Sequence, residues 1–208
     1  MLEGWRQRRQ VARAQQGDAA AFAELLRPEL PRLYRAAFYL ARDADEASDL
    51  AQEACVRAYQ NLADFESGRA LGPWLHRILR NLFLDRRKSA ASRHEVRANE
   101  EDELGGAREA AASPAVPSSD SPLEVLLQRE QSAALGEHVR ALPVAFAEVL
   151  VFCDIQEMSY AEVSEVTGVP LGTVKSRLSR ARLMLRERLL AEPELLAGQS
   201  RKSRGGAS

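Results

Sequence analysis

Between Pro170 and Arg188 stand six basic residues, Lys175, Arg177, Arg180, Arg182, Arg186 and Arg188, against one acid, Glu187. Placed on a helix, Val174, Leu178, Ala181 and Leu185 share one face at spacings of four, three and four. Lys175, Ser176, Ser179 and Arg180 fall on the opposite side, and Arg177 and Arg182 flank the apolar stripe. This is chemistry suited to a nucleic acid. Guanidinium groups pair with phosphates, and short polar or basic side chains reach base edges in a major groove. An amphipathic helix with a merely solvated basic face would carry the same stripe, so the preceding residues decide. Ser159 and Glu162 spell an S-x-x-E capping box. Gly168 stands where a left-handed residue would close that helix. Pro170 suits the start of the next helix, where its missing N–H costs nothing. Short helix, glycine turn and second helix make a helix-turn-helix, and DNA binding is the favoured reading.

A second basic group lies upstream. On a helix expected over 73–88, Leu75, Ile78, Leu79 and Leu82 cover one broad side, while Arg77, Arg80, Arg87 and Lys88 gather on the other. Trp74 stands at its start, after a Gly/Pro-containing loop over 65–73, and Asn81 and Asp85 add hydrogen-bonding groups. Basic residues interleaved with aromatic rings suit single-stranded nucleic acid, because rings stack on bases while cations track the backbone. Trp74 and Phe83 also fit a core, and at least one is expected there. A third helix, over 44–62, carries Asp45, Asp49, Gln52 and Glu53 on one side, with Glu46 at the edge and Leu50, Ala54, Ala58 and Leu62 opposite. Such an acidic stripe is either a solvated face or a docking surface for a basic partner, and composition does not decide between them.

Catalysis finds no support. No nucleophile–base pair, no paired carboxylates in an apolar setting and no phosphate-binding loop occurs. Cys55 and Cys153 belong to no C-x-x-C pair, and His76, His94 and His138 are scattered, so neither a metal nor a cofactor is expected. Structural burial is the expected role of both cysteines.

The elements that must position these groups are helical throughout. Between residues 18 and 41, Phe22, Leu25, Leu26, Leu30, Leu33, Tyr34, Ala37 and Phe38 recur at helical spacings, with a break at Pro28 and Pro31. The formal net charge of the 208 residues is only −1, but it is segregated. Residues 65–97 hold eight basic side chains against three acids, and residues 98–137 hold two against nine. Within the acidic stretch, ANEEDELGGAREAAASPAVPSSDSP, residues 98–122, is rich in Ala, Ser, Gly and Pro and has almost no large apolar residue. It cannot bury enough surface to offset its ordering entropy, so a flexible linker is expected. As a coil, about 24 such residues would span ~27 Å. The expected architecture is all-α: two small helical domains, 1–97 and 125–190, joined by a flexible acidic linker over 98–124 and followed by a disordered tail over 191–208. The N-terminus lacks the apolar core of a signal peptide and no apolar run approaches membrane-spanning length, so a soluble, cytoplasmic protein is expected.

Three blocks together resemble a known family. DADEASDLAQEACVRAYQNLADFE, then WLHRILRNLFLDRRK, then LPVAFAEVLVFCDIQEMSYAEVSEVTGVPLGTVKSRLSRARLMLRERL are similar, in order and separation, to the extracytoplasmic-function (ECF) sigma factors of the sigma-70 family. The G-T-V-K-S-R-L-x-R-A-R block at 172–182 is the strongest single match. The resemblance implies a non-enzymatic factor that binds core RNA polymerase and directs promoter recognition and transcription initiation. Asp45, Asp49, Gln52, Glu53 and Arg57 would face the clamp coiled coil of the largest polymerase subunit, and the second domain would meet the flap region. Phe65, Trp74, Arg77, Arg80, Asn81, Asp85 and Arg86 would bind the −10 element as single-stranded DNA. Thr173, Lys175, Ser176, Arg177, Ser179, Arg180 and Arg182 would read the −35 element as duplex. An anti-sigma factor is a common partner in this family. The chain departs from the family at Cys55, where a large apolar side chain is usual, and at Ala147, where an arginine is common. A stand-alone helix-turn-helix regulator is the alternative; it would bind duplex DNA alone. A purely helical adaptor would leave no DNA footprint.

Overall fold

The computed structural model describes residues 2–41, 43–97 and 133–191. The expected linker over 98–124 and nearly all of the expected tail lie outside the described residues. The elements in chain order are α1 (Leu2–Gln15), α2 (Ala19–Leu26), α3 (Leu30–Leu40), α4 (Ala44–Gln60), a 3-10 turn (Leu62–Asp64) and α5 (Leu71–Arg97). A helical segment over 133–140, α6, opens the second half. It is followed by α7 (Val144–Leu150), a π-helical segment (Val151–Ile155), α8 (Tyr160–Thr167) and α9 (Leu171–Ala191). Among the described residues the only β feature is an isolated bridge between Ser67 and Arg69.

Local chemistry explains the boundaries. Asp18 caps α2 by accepting from the Ala21 N–H at 3.0 Å, and it also pairs with Arg13 at 2.6 Å, which ties the end of α1 to the start of α2. Pro31 sits in the first turn of α3, where no intrahelical donor is needed. Asp43 caps α4 through the Glu46 N–H at 2.7 Å, and Asp45 and Glu46 place negative charge in the first turn, the favourable end of the helix dipole. The helix expected over 73–88 is longer at both ends. Residues 89–97, SAASRHEVR, hold no breaker, and α5 runs through them although the apolar stripe has ended.

The apolar faces meet in one core. From the first half it takes Leu25, Leu33, Leu50, Ala54, Leu75, Leu79 and Phe83; from the second half Val139, Val149, Phe152, Val163, Val174 and Leu178. Phe83 is therefore a core residue, as the periodicity allowed. The two halves pack against each other through α5 on α8 and α3 on the π-helical segment. Arg32 of α3 donates to the Gln156 carbonyl at 2.8 Å, and Arg140 of α6 donates to the Phe38 carbonyl at 3.0 Å. The His76 ring meets Phe152 edge-on at 5.7 Å. This closure between two domains was not an expectation of the sequence pattern, which treats each as having its own modest core.

Candidate nucleic-acid interface

The helix-turn-helix is built from its caps. The Ser159 hydroxyl accepts from the Glu162 N–H at 3.3 Å, and the Glu162 carboxylate accepts from the Ser159 N–H at 2.8 Å and from its hydroxyl at 2.7 Å. Those two donors, Ser159 hydroxyl first, hold the Glu162 carboxyl below its ordinary range. Gly168 closes α8 with φ of 69°, the left-handed conformation that an L side chain resists. The Ser164 hydroxyl donates to the Val169 carbonyl at 2.6 Å and braces the turn. The Pro170 carbonyl then accepts from the Thr173 and Val174 N–H groups in the first turn of α9.

On α9, Val174, Leu178 and Ala181 are buried, and Leu185 packs half-buried against the core. That anchorage turns Lys175, Ser176, Ser179 and Arg180 to the exposed side. Thr173 and Arg177 are half-buried. The Ser176 hydroxyl donates to the Thr173 carbonyl at 3.1 Å. Arg182, though exposed, grips Asp154 of the π-helical segment with two bonds of 2.9 and 2.7 Å, and this pairing raises its pKa further. It locks α9 to the element beneath it. Between α6 and α9 lies an apolar groove of ≈ 500 Å³, lined by Leu135, Val139, Leu150, Leu185 and Leu189.

In the first half, α5 shows Arg77, Asn81 and Asp85 on its exposed side. Phe65 is only 3% exposed, and its ring lies 4.9 Å from that of the half-buried Trp74. The pair packs the loop over 65–73 onto the helix start. Arg86 donates to Glu53 of α4 at 2.7 Å. That bond is the main reason the Glu53 carboxyl sits below its ordinary range, with Arg57 at 3.3 Å a lesser one. Asp45, Asp49, Gln52 and Arg57 are exposed along α4. The acidic face of α4 and the basic side of α5 therefore adjoin through the Glu53–Arg86 pair.

One further residue carries no local motif. Glu148 of α7 is 2% exposed, within the apolar run Val144–Phe152. It accepts two bonds from Arg80, from Nε at 2.7 Å and from Nη2 at 3.1 Å, and Arg177 lies within 3.9 Å of the same carboxylate. An acid alone in an apolar run was the available signal, because a buried charge needs a partner. Its partner is 68 residues away, beyond any local pattern.

Among the described residues no three His, Cys, Asp or Glu side chains are grouped to hold a metal ion. Both cysteines are half-buried, and burial raises their thiols, Cys153 to about 11, which disfavours the reactive thiolate. Among the described residues no helix is long and apolar enough to cross a membrane.

Comparison with known proteins covers both halves. Residues 25–93 match the model of sigma-70 region 2, and residues 132–185 match that of sigma-70 region 4. The ECF RNA polymerase sigma factor SigW of Bacillus subtilis is 30% identical over 183 residues, which cover 88% of this chain and 96% of SigW. The ECF RNA polymerase sigma factor SigE of Mycolicibacterium smegmatis is 35% identical over 178 residues; they cover 83% of this chain but 64% of SigE. Among solved structures, the sigma factor RpoE of Bartonella quintana, crystallised with the anti-sigma factor NepR, is similar at a TM-score of 0.64. Its identity is 25%, over 82% of this chain and 98% of that one.

Proposed function

The chain belongs to the ECF sigma factors of the sigma-70 family, and on that premise we propose how its surfaces divide promoter recognition among them. The exposed face of α4, with Asp45, Asp49, Gln52 and Arg57 and with Glu53 at its edge, docks on the clamp coiled coil of the largest subunit of core RNA polymerase. Arg77, Asn81 and Asp85, with Trp74, Arg80 and Arg86 beside them, receive the melted −10 strand. Phe65 serves that site by packing Trp74. Lys175, Ser176, Ser179 and Arg180 approach the bases of the −35 duplex, with Thr173 and Arg177 at the edge of that contact. Arg182 holds α9 in place through Asp154. The apolar groove between α6 and α9 is a seat for the flap region, and an anti-sigma factor would compete for these surfaces.

The division of labour needs no chemistry from this chain. Polymerase makes the bonds, and the factor supplies register on DNA and capture of the opened strand. Holding an unpaired base in a protein pocket offsets part of an unstacking cost of a few kcal/mol per base.

The observation that carries this reading is the α8–turn–α9 unit, whose buried stripe of Val174, Leu178 and Ala181 presents Lys175, Ser176, Ser179 and Arg180 outward. The test is reconstitution with core polymerase and transcription from a genomic DNA pool. Start sites sharing a −10 and a −35 element are expected only when the chain is present. A start-site map unchanged by adding the chain would sink the proposal.

A further inference from the structure

We propose that Glu148 is an intramolecular latch: it holds the two halves closed by occupying Arg80, so that the closed chain is withheld from the −10 strand until the halves part. The proposal rests on the assignment of Arg80 to that strand. It is carried by one juxtaposition, in which a single buried carboxylate of α7 takes Arg80 from the first half and has Arg177 from α9 within reach.

The Arg80–Glu148 contact is bidentate, and the two side chains are 15% and 3% exposed. The pairing takes the Nε/Nη2 edge of Arg80, and at 15% exposure little of the remaining guanidinium is open to a phosphate in the closed chain. His76, one turn before Arg80 on the same face of α5, is 2% exposed against Phe152 of the second half. The turn of α5 that carries His76 and Arg80 is therefore covered in the closed chain, while Arg77 and Asn81 are exposed. Arg32 to Gln156 and Arg140 to Phe38 cross the same boundary through backbone carbonyls and are blind to the charge on Glu148.

Parting the halves does not strand Glu148. Arg177 belongs to the same half, 3.9 Å away, and a small shift of its guanidinium would replace Arg80. Breaking a buried ion pair is costly mainly because one charge is left alone in a dry site. A resident second arginine removes that obstacle for the carboxylate. Arg80, lying at the boundary, is released to water or to DNA. Glu148 thus exchanges one arginine for another as the molecule opens, a local event with a two-state readout.

The test uses the full chain without polymerase and two readouts: the radius of gyration by small-angle scattering, and binding of a single-stranded −10 oligonucleotide. Glu148→Gln keeps the shape and removes the charge. The variant is expected to expand, with unchanged helical circular dichroism, and to bind the oligonucleotide several-fold tighter than the wild type. Arg80→Gln breaks the same contact from the other side and is read by expansion alone. Wild-type dimensions in both variants would overturn the latch. Expansion of both without a gain in oligonucleotide binding would keep the latch as the closing contact but remove the masking of the −10 site, and with it the assignment of Arg80.

Discussion

Arginines of this chain divide by what they already hold. Arg80, Arg86 and Arg182 are engaged by Glu148, Glu53 and Asp154, whereas Arg77 and Arg180 sit on exposed faces. The exposed ones are the side chains to test at the level of single contacts. Arg180→Ala should cost ~1–3 kcal/mol of −35 discrimination, roughly ten-fold in transcription from a −35-dependent promoter, while core binding persists. Run-off transcription beside a core pull-down measures both; undiminished transcription refutes the assignment. On α4, Asp49 is exposed and Glu53 is partly tied to Arg86, so Asp49→Ala isolates docking from packing. It should weaken core binding several-fold with no change in thermal stability. Equal capture of core by variant and wild type would count against the docking face.

At the scale of elements, legibility followed sequence distance. The capping box at Ser159 and Glu162 and the turn at Gly168 were readable, because each is satisfied within a few residues. The buried stripe on α9 was readable for the same reason, since periodicity already specifies a face. The family resemblance marks Phe65 as a DNA contact, yet its ring packs on Trp74; composition does not tell a stacking ring from a core ring. The end of α5 was placed too early, because an apolar stripe marks the packed part of a helix and helix-forming residues carry it further. The Glu148–Arg80 pair was invisible, since no local rule links α7 to α5. Gly168 gives a direct test of the turn. A Cβ there would meet nothing within 4 Å, so Gly168→Ala carries a conformational cost alone. The substitution should destabilise by ~1 kcal/mol, about 2–4 °C in melting temperature for a chain of this size. An unchanged melt would mean that the turn relaxes out of the left-handed region.

At the scale of the molecule, closure leaves a titratable mark. His76 lies at the boundary, with Nδ1–H donating to the Gly72 carbonyl at 2.8 Å. Burial lowers its pKa most, and Arg32 lowers it further; the Gly72 carbonyl, the Gln156 side chain and the Arg32 backbone oppose this. Glu29, Glu157 and Glu162 line the adjoining cavity with Arg32. A histidine whose folded pKa is depressed is held neutral, so its contribution is complete above its ordinary pKa of about 6.5 and is lost as pH falls below it. Glu53, Glu162 and Asp18, all lowered, act the same way only in the carboxylate range, at more acid pH. Melting temperature should therefore fall between pH 7.5 and 5.5, and His76→Gln should flatten that slope. Equal slopes for both proteins would remove His76 from the boundary.

On the proposed division of labour, two surfaces of one chain act together, upstream duplex on α9 and opened strand on α5, once polymerase is bound. Footprinting of reconstituted holoenzyme on one promoter, with permanganate to mark unpaired thymines, tests it most directly. Upstream duplex protection and −10 thymine reactivity should appear together and only with polymerase present. Arg180→Ala should fade the protection while the opened thymines persist wherever initiation still occurs. The same upstream protection by the chain alone, with no opened thymines when polymerase is added, would contradict a shared role of the two surfaces.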